Sequence, residues 1–341
     1  RITQELILGV GGLRALHSMG IMPSVLHLNE GHSAFALLEM ARNEMVLDGI
    51  SFGDGLRRAA LHTVFTTHTP IPAGHDRFDA DLMEFAIGPL RDHLRISQDE
   101  LMALGRVNST DRNEPFCMTV LGLKIAQKSN AVSALHGHVT RKMWNSLWPS
   151  RTEADVPIRH ITNGVHASSW LAPPMAQLYD RYLGPHWRSR TCSPQTWLDI
   201  DAVEDAELWE VHQTIKARLI GYVQRQLLAQ ESFRAKDLSS AEAAAARLTP
   251  SVLTIGCARR FATYKRADLL LTDPERFERL LSNPEMPIQV VFAGKAHPKD
   301  EAVKQLIRRI FQMSRETRFI GRVFFIEDYD INVARYMTQG C

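Results

Sequence analysis

Several things are scarce in these 341 residues. Cysteine is limited to Cys117, Cys192, Cys257 and Cys341, widely spaced and without a CxxC pair. That pattern excludes the disulfide framework of small secreted domains and a zinc ribbon, and it fits reduced thiols in a cytoplasmic protein. Long apolar runs are missing too. Stretches such as Ile288–Ala293 fall far short of the ~20 residues a bilayer helix needs, so no membrane role is expected. Nor is there an excess of charge: 40 Lys+Arg face 38 Asp+Glu, a formal +2, and no bulk field draws the chain to nucleic acid or a lipid surface. No solenoid-length repeat is present. The first residue is Arg1, no targeting segment follows it, and Val333–Cys341 stops inside a helix-and-turn pattern. The chain therefore reads as an internal fragment.

What is there is an ordinary globular composition, 45% hydrophobic and 23% charged. The length exceeds what one core holds, so two lobes are expected. Short β-branched runs, polar punctuation and helical periodicity alternate as in parallel βα units. Ser24–Leu28 predicts a strand, Asn29–Ser33 a loop, and apolar positions 34, 35, 37, 38, 41 and 45 a helix with one buried face. Thr63–Thr67 predicts a second strand, broken by Pro70 and Pro72. Ser129–Leu135 predicts a third, followed by a His136-Gly-His138 loop and a helix through Trp144, and Ile158–Thr162 a fourth. From Trp170 to about Ala235 the pattern is helical, clearest at Leu208, Trp209, Val211, His212, Ile215, Leu219, Ile220 and Val223. After Pro250 comes a βαβαβ run: strand Val252–Cys257, helix from about Lys265 to Leu281, strand Ile288–Ala293, helix Glu301–Met313 and strand Val323–Ile326. It reads as half of a doubly wound sheet.

Ligands of open α/β sheets bind beyond the carboxyl ends of the strands. The polar residues expected there are Glu30, His32, His68, Asn163, Arg259, Arg260, Lys265, Lys295, Glu327 and Tyr329. The sharpest group is Ala258-Arg-Arg-Phe-Ala-Thr-Tyr-Lys-Arg266. Here Arg260 and Lys265 suit a phosphate dianion, assisted by the amino terminus of the helix predicted to follow. A solvated basic turn is the alternative reading. His68 and Asn163 end hydrophobic strands just before backbone-fixing residues, where a polar side chain serves either the fold or a sugar hydroxyl. Three other candidates compete: Gly9-Val-Gly-Gly12 as a phosphate cradle, which has no strand before it and suits helix packing or a turn; His136 and His138 as metal ligands, which lack a third and suit a hydrogen-bonded loop; and Glu30 with Asp76 or Asp79 as the acid/base pair of a glycoside hydrolase.

Four motifs, Leu28-Asn-Glu-Gly-His-Ser-Ala34, Thr66-Thr-His-Thr-Pro-Ile-Pro-Ala-Gly-His-Asp-Arg-Phe78, Ile161-Thr-Asn-Gly-Val-His166 and Arg259-Arg-Phe-Ala-Thr-Tyr-Lys-Arg266, resemble in order and spacing those of the α-glucan (glycogen) phosphorylases, compact bacterial branch. The resemblance runs from Gly9 to Cys341. It implies an α/β retaining glycosyltransferase with two Rossmann-like domains facing a cleft, both incomplete here. On this basis 1–165 is the carboxyl part of the amino-terminal domain. The start of the second domain is 166–341, with a helical crossover over 166–249 and an incomplete βαβαβ run over 250–341. The implied reaction is phosphorolysis of α-1,4-glucan ends by inorganic phosphate, releasing glucose 1-phosphate, with pyridoxal 5'-phosphate as cofactor and often as a homodimer.

Residue by residue, the resemblance places Arg260 and Lys265 on the substrate phosphate, and His68, Asn163 and Tyr264 on the glucosyl unit. It places Glu30 and His32 on the loop beside the sugar, and Arg259 and Tyr329 on the cofactor. Arg259 stands where many members carry lysine. The family's cofactor lysine is expected after Cys341 and its glycine loop before Arg1; none of the nine lysines here sits in that context, so the chain alone is expected to be inactive. Rival readings are a nucleotide-sugar glycosyltransferase of the glycogen synthase kind, a non-catalytic glucan-binding relative, and a hydrolase using Glu30.

Overall fold

The computed structural model describes residues 1–71, 74–233, 238–298 and 300–341. Pro72 of the predicted strand break and the expected helix end near Ala235 lie outside the described residues. The chain divides into two compact units, Arg1–Gly164 and Val165–Cys341.

In the first unit the strands are β1 (Leu26–Asn29), β2 (Thr63–Thr67), β3 (Arg77–Phe78), β4 (Phe116–Cys117), β5 (Lys128–Ala131) and β6 (Ile158–His160). Four of them form a parallel sheet in the order β1-β2-β5-β6. The pair β3-β4 is a separate antiparallel ribbon. Phe35, Leu37, Leu38, Phe65, Met83, Ile87, Val120 and Leu121 fill one apolar core between the sheet and its helices. The helices start where side chains satisfy their first N–H groups. Ser51 caps 52–61, Asp79 caps 80–94, and Ser97 with Glu100 forms a reciprocal capping box on 98–105.

Two expectations fail here for the same reason. The strand predicted through Leu135 ends at Ala131, and His136 and His138 lie in helix 134–144 rather than in a loop. Ser133 accepts a hydrogen bond from the His136 N–H at 3.1 Å, so a cap lies inside what pattern alone reads as strand.

The second unit holds β7 (Leu253–Ala258), β8 (Ile288–Ala293) and β9 (Val323–Ile326), parallel and in that order. Of these, β8 and β9 are covered on both faces, whereas Leu253 and Ile255 leave β7 partly open. Val290, Phe292, Val323 and Phe325 pack with helices 274–281 and 301–313, whereas Val291, Ala293, Phe324 and Ile326 pack with helices 205–233 and 331–340. Double coverage explains why these strands read as nearly unbroken apolar runs. The helix predicted over 265–281 does not form as one piece. Two 3-10 turns, 263–265 and 269–271, precede a helix that begins only at Pro274, capped by Asp273. Proline at the first helical position and a capping aspartate before it make a helix start, which the apolar spacing hid.

Gly9-Val-Gly-Gly12 lies inside a helical segment, its first part a π-turn over 7–11. A Cβ on Gly9 would lie 2.8 Å from the Ala36 nitrogen and 3.0 Å from the Ser33 oxygen, while Gly12 has nothing within 4 Å. The cluster is thus a packing device. Gly9→Ala is expected to destabilise the chain by about 1–2 kcal/mol, overpacking outweighing alanine's helix preference. Gly12→Ala is expected to stabilise it by up to about 1 kcal/mol. Denaturant melts of the two variants check the opposite signs.

Candidate functional site

In the first unit the carboxyl ends of β1 and β2 bring Glu30, His32 and His68 together. Glu30 directly follows β1, and its N–H donates to the Thr66 carbonyl at 2.8 Å. Its side chain turns back beneath the end of β2, only 9% exposed. One carboxylate oxygen accepts from the His68 N–H and from the Thr69 hydroxyl (2.9 Å), and the other faces the Thr67 hydroxyl at 3.5 Å. The His68 imidazole is hydrogen-bonded through Nε2 to Asn29 Oδ1. Glu30 adopts φ 68 and ψ 178, a backbone region used almost only by glycine and costing about 1–3 kcal/mol otherwise. Gly31 keeps the loop flat against the next element: a Cβ there would meet the Met118 Cβ and the Thr119 nitrogen, each at 2.9 Å.

His32 belongs to an ionic network that pattern reading did not foresee. Its Nδ1 lies 3.1 Å from Asp76 Oδ2 and 3.8 Å from Glu5 Oε1. Arg1 reaches the same two carboxylates at 2.8 and 3.0 Å. Hydrogen bonding to Asp76, then to Glu5, raises the His32 pKa to about 9. Burial pushes Asp76 upward, but hydrogen bonds from His32 and Arg1 outweigh it and hold Asp76 well below the usual carboxylate range. Burial raises Glu5. Glu5, His32 and Asp76 offer oxygen and nitrogen atoms close enough to hold a cation, yet the Arg1 guanidinium already fills that charge role.

Three carboxylates or histidines considered for other chemistry are committed elsewhere. Asp79 accepts from the Leu82 N–H at 2.8 Å as a helix cap. His136 Nδ1 accepts from the Val132 N–H at 3.3 Å, and His138 pairs with Glu153 at 2.7 Å. Asn163 follows β6, its N–H donating to the Val132 carbonyl at 3.1 Å. The residue is exposed rather than buried.

In the second unit a pocket of about 450 Å³ at the carboxyl ends of β7, β8 and β9 is lined by Trp170, Arg259, Arg260, Lys265, Lys295 and Tyr329, with Asp330, Ile331 and Ala334 completing it. The loops are tied across strands: Arg259 N–H donates to the Ala293 carbonyl (3.1 Å) and Phe261 N–H to the Lys295 carbonyl (2.9 Å). A Cβ on Gly294 would lie 2.5 Å from the Arg259 oxygen, so only glycine permits this approach. Burial, then repulsion from Arg260 and Arg259, lowers the Lys265 pKa. Lys265 Nζ stands 5.7 Å from the centre of the Tyr264 ring, which is itself half exposed.

No α-helix amino terminus lies at Lys265, because the helix expected from about Lys265 begins only at Pro274. The anion-binding expectation therefore rests on side chains alone. Lys295 is the residue whose role went unassigned. Its signal was present, a lysine one residue beyond a buried strand and a glycine. Asp330 accepts from the Asn332 and Val333 N–H groups, each at 2.9 Å, capping a helix while its charge also faces Lys295.

With the geometry in hand, comparison with known proteins is decisive for the family. The family model "Carbohydrate phosphorylase" matches residues 17–341. The chain belongs to the carbohydrate phosphorylase family. It is 39% identical over 340 residues to the maltodextrin phosphorylase of Thermococcus litoralis, covering 100% of this chain and 39% of that protein. It is 37% identical over 355 residues to the glycogen phosphorylase of Mycobacterium tuberculosis (100% and 40%) and 34% identical over 340 residues to that of Aquifex aeolicus (100% and 48%). The chain thus spans less than half the length of these phosphorylases.

The ionic network around His32 makes a pH prediction. A group whose pKa rises on folding contributes stability that is complete below its unfolded value, 6.5, and is lost as pH rises through its folded value, about 9. Between those limits the chain should lose stability with rising pH, and His32→Gln should flatten that slope. Urea midpoints at pH 6, 7.5 and 9 for both proteins check it; parallel slopes would contradict the assignment.

Proposed function

We propose that the chain takes part in phosphorolysis of α-1,4-glucans such as glycogen or maltodextrin, inorganic phosphate releasing glucose 1-phosphate, in the cytoplasm. The observation that carries this reading is the pocket where Arg259, Arg260, Lys265 and Lys295 crowd together. Such a set is poorly compensated by itself and well matched to a phosphate dianion. Names of relatives at 34–39% identity support the same class of reaction.

In this reading Arg260 and Lys265 hold the attacking phosphate. Phosphorolysis needs no pair of carboxylates, because the attacking phosphate itself donates the proton to the leaving glycosidic oxygen. The chain's part is to fix that dianion against the developing positive charge of the sugar ring, by electrostatic preorganisation. His68, Asn163 and Tyr264 are assigned to the glucosyl hydroxyls, and Glu30 and His32 to the loop beside them. The two units are read as Rossmann-like lobes.

Pyridoxal 5'-phosphate fits the same donor set at its phosphate end. Arg259 and Tyr329 line the cationic pocket beside Arg260 and Lys265, where four cations face the single carboxylate of the lining, Asp330. Bound there, the cofactor would supply a second phosphate able to take up or return a proton. Arg259 and Tyr329 would orient it.

The test uses the full reading frame that encodes this chain: release of glucose 1-phosphate from α-glucan with and without phosphate. Arg260→Ala is expected to lower the phosphate-dependent rate by about 10²–10³. Arg266→Gly removes a charge outside the pocket and suits that residue's left-handed backbone, φ 48, so it should change the rate less than about threefold. Free glucose without a phosphate requirement would instead support hydrolysis.

A further inference from the structure

We propose that Glu30 is a positioning residue for His68, acting on the reaction through the turn that follows β2 rather than by touching sugar or moving a proton. The activity part of this proposal rests on the phosphorolysis reading; the structural part does not. Three observations carry it. The carboxylate is buried and already accepts from the His68 N–H and the Thr69 hydroxyl, with the Thr67 hydroxyl opposite its second oxygen. All three donors belong to one turn, 67–69, and none belongs to Glu30's own loop. The acceptor capacity of this carboxylate is directed at the backbone and hydroxyls at the end of β2 and just after it.

The second observation is the backbone. Glu30 stands at φ 68, ψ 178, where glycine would be free of strain, so the residue is retained against its conformational preference. What holds it is visible: its own N–H bonded to Thr66 at 2.8 Å, and Gly31 packed against Met118 and Thr119. The third is the other end of the clamp. Asn29, the neighbour of Glu30, binds the His68 imidazole, so residues 29 and 30 fix both the main chain and the ring of His68. That histidine can then meet a ligand without reorganising, which is how a supporting contact affects rate.

Three variants test the clamp in the full reading frame: Glu30→Gln, Glu30→Ala and Glu30→Gly. Peptide-level hydrogen exchange across 64–71 is measured alongside kcat, KM for glucan and phosphate, and the pH profile. Glu30→Ala and Glu30→Gly should speed exchange in the 67–69 turn by at least about tenfold. They should lower kcat by about 10–100-fold with KM for glucan changed little. Glu30→Gln, which keeps one acceptor, should fall between them and the parent with the pH profile unaltered in shape. Glu30→Gly should melt several degrees above Glu30→Ala, because it alone is free of strain. If Glu30→Ala does not fold, the glycine variant carries the test.

Unchanged exchange with lost activity would overturn the proposal in favour of direct substrate contact, as would a rise in glucan KM alone. Loss of one limb of the pH profile in Glu30→Gln would overturn it in favour of acid–base catalysis. If the parent shows no phosphorolysis, the functional reading fails, and the exchange data still decide whether the clamp exists.

Discussion

Among the described residues seven strands run parallel, four in one sheet and three in another, and a parallel pair cannot be closed by a short turn. Each connection must return to the same end of the sheet, so the loops that leave the carboxyl ends accumulate along one edge. In the first unit that edge receives Glu30, His68 and Asn163; in the second it receives Arg259, Arg260 and Lys295. The register of the first sheet is pinned by a polar ladder whose Thr66 and Asn130 members are buried. His27 Nε2 is bonded to Thr66 Oγ1 at 2.7 Å, the Thr66 hydroxyl donates to Asn130 Oδ1 at 2.9 Å, and Asn130 Nδ2 donates to the Ala131 carbonyl at 3.2 Å. A slip of one residue would carry Thr66 and Asn130 to opposite faces and strand their polar groups, at a cost of about 1–3 kcal/mol for each group left unpaired.

The two units handle charge in opposite ways. In the first, buried carboxylates are matched inside the fold. Glu39 is fully buried, and although burial pushes its pKa up, hydrogen bonds from Arg14 and Arg42 outweigh this and keep it ionised. Asp76 is held in its charged form by His32 and Arg1 in the same manner, whereas burial raises Glu5 even with Arg1 3.0 Å away. Among the described residues the cations of the second unit's pocket have few carboxylate partners: Lys295 lies 3.8 Å from the almost fully exposed Asp328 and also faces Asp330. Matched charge holds a fold together. Unmatched charge in a concave place, which together with burial lowers the Lys265 pKa, costs free energy, and in the proposed reading a bound dianion would return it.

How much of this was legible in the sequence depends on what determined each element. Strands 63–67, 288–293 and 323–326 and helix 301–313 fall where apolar pattern put them, and the Asp300 cap of that helix coincides with the edge of its apolar pattern. The stretch 265–281 and the His136-Gly-His138 segment were misread because their boundaries are set by single hydrogen bonds, from Asp273 and from Ser133. Periodicity carries no trace of those. The candidate residues were found by strand-end position and by motif, while the partners that orient them were not. Asn29 on His68, Thr69 on Glu30 and Arg1 on Asp76 join positions 39, 39 and 75 residues apart, and neither spacing nor composition encodes such pairs.

Glu30 shows what that hidden layer adds. A turn needing this backbone conformation selects glycine if nothing else is asked of it, since glycine alone adopts it without the 1–3 kcal/mol or so of strain. Glutamate is found instead, directly before Gly31, so the loop tolerates glycine in its immediate sequence. The side chain must therefore contribute more than the strain removes. Two charge-assisted hydrogen bonds to a buried carboxylate, at about 1.5–3 kcal/mol each, are of the right size to offset it. Their benefit falls on residues 68 and 69, on the neighbouring strand. The strain at β1 and the order at β2 are thus two sides of one arrangement, in which a conformational cost at one strand end fixes the histidine at the next.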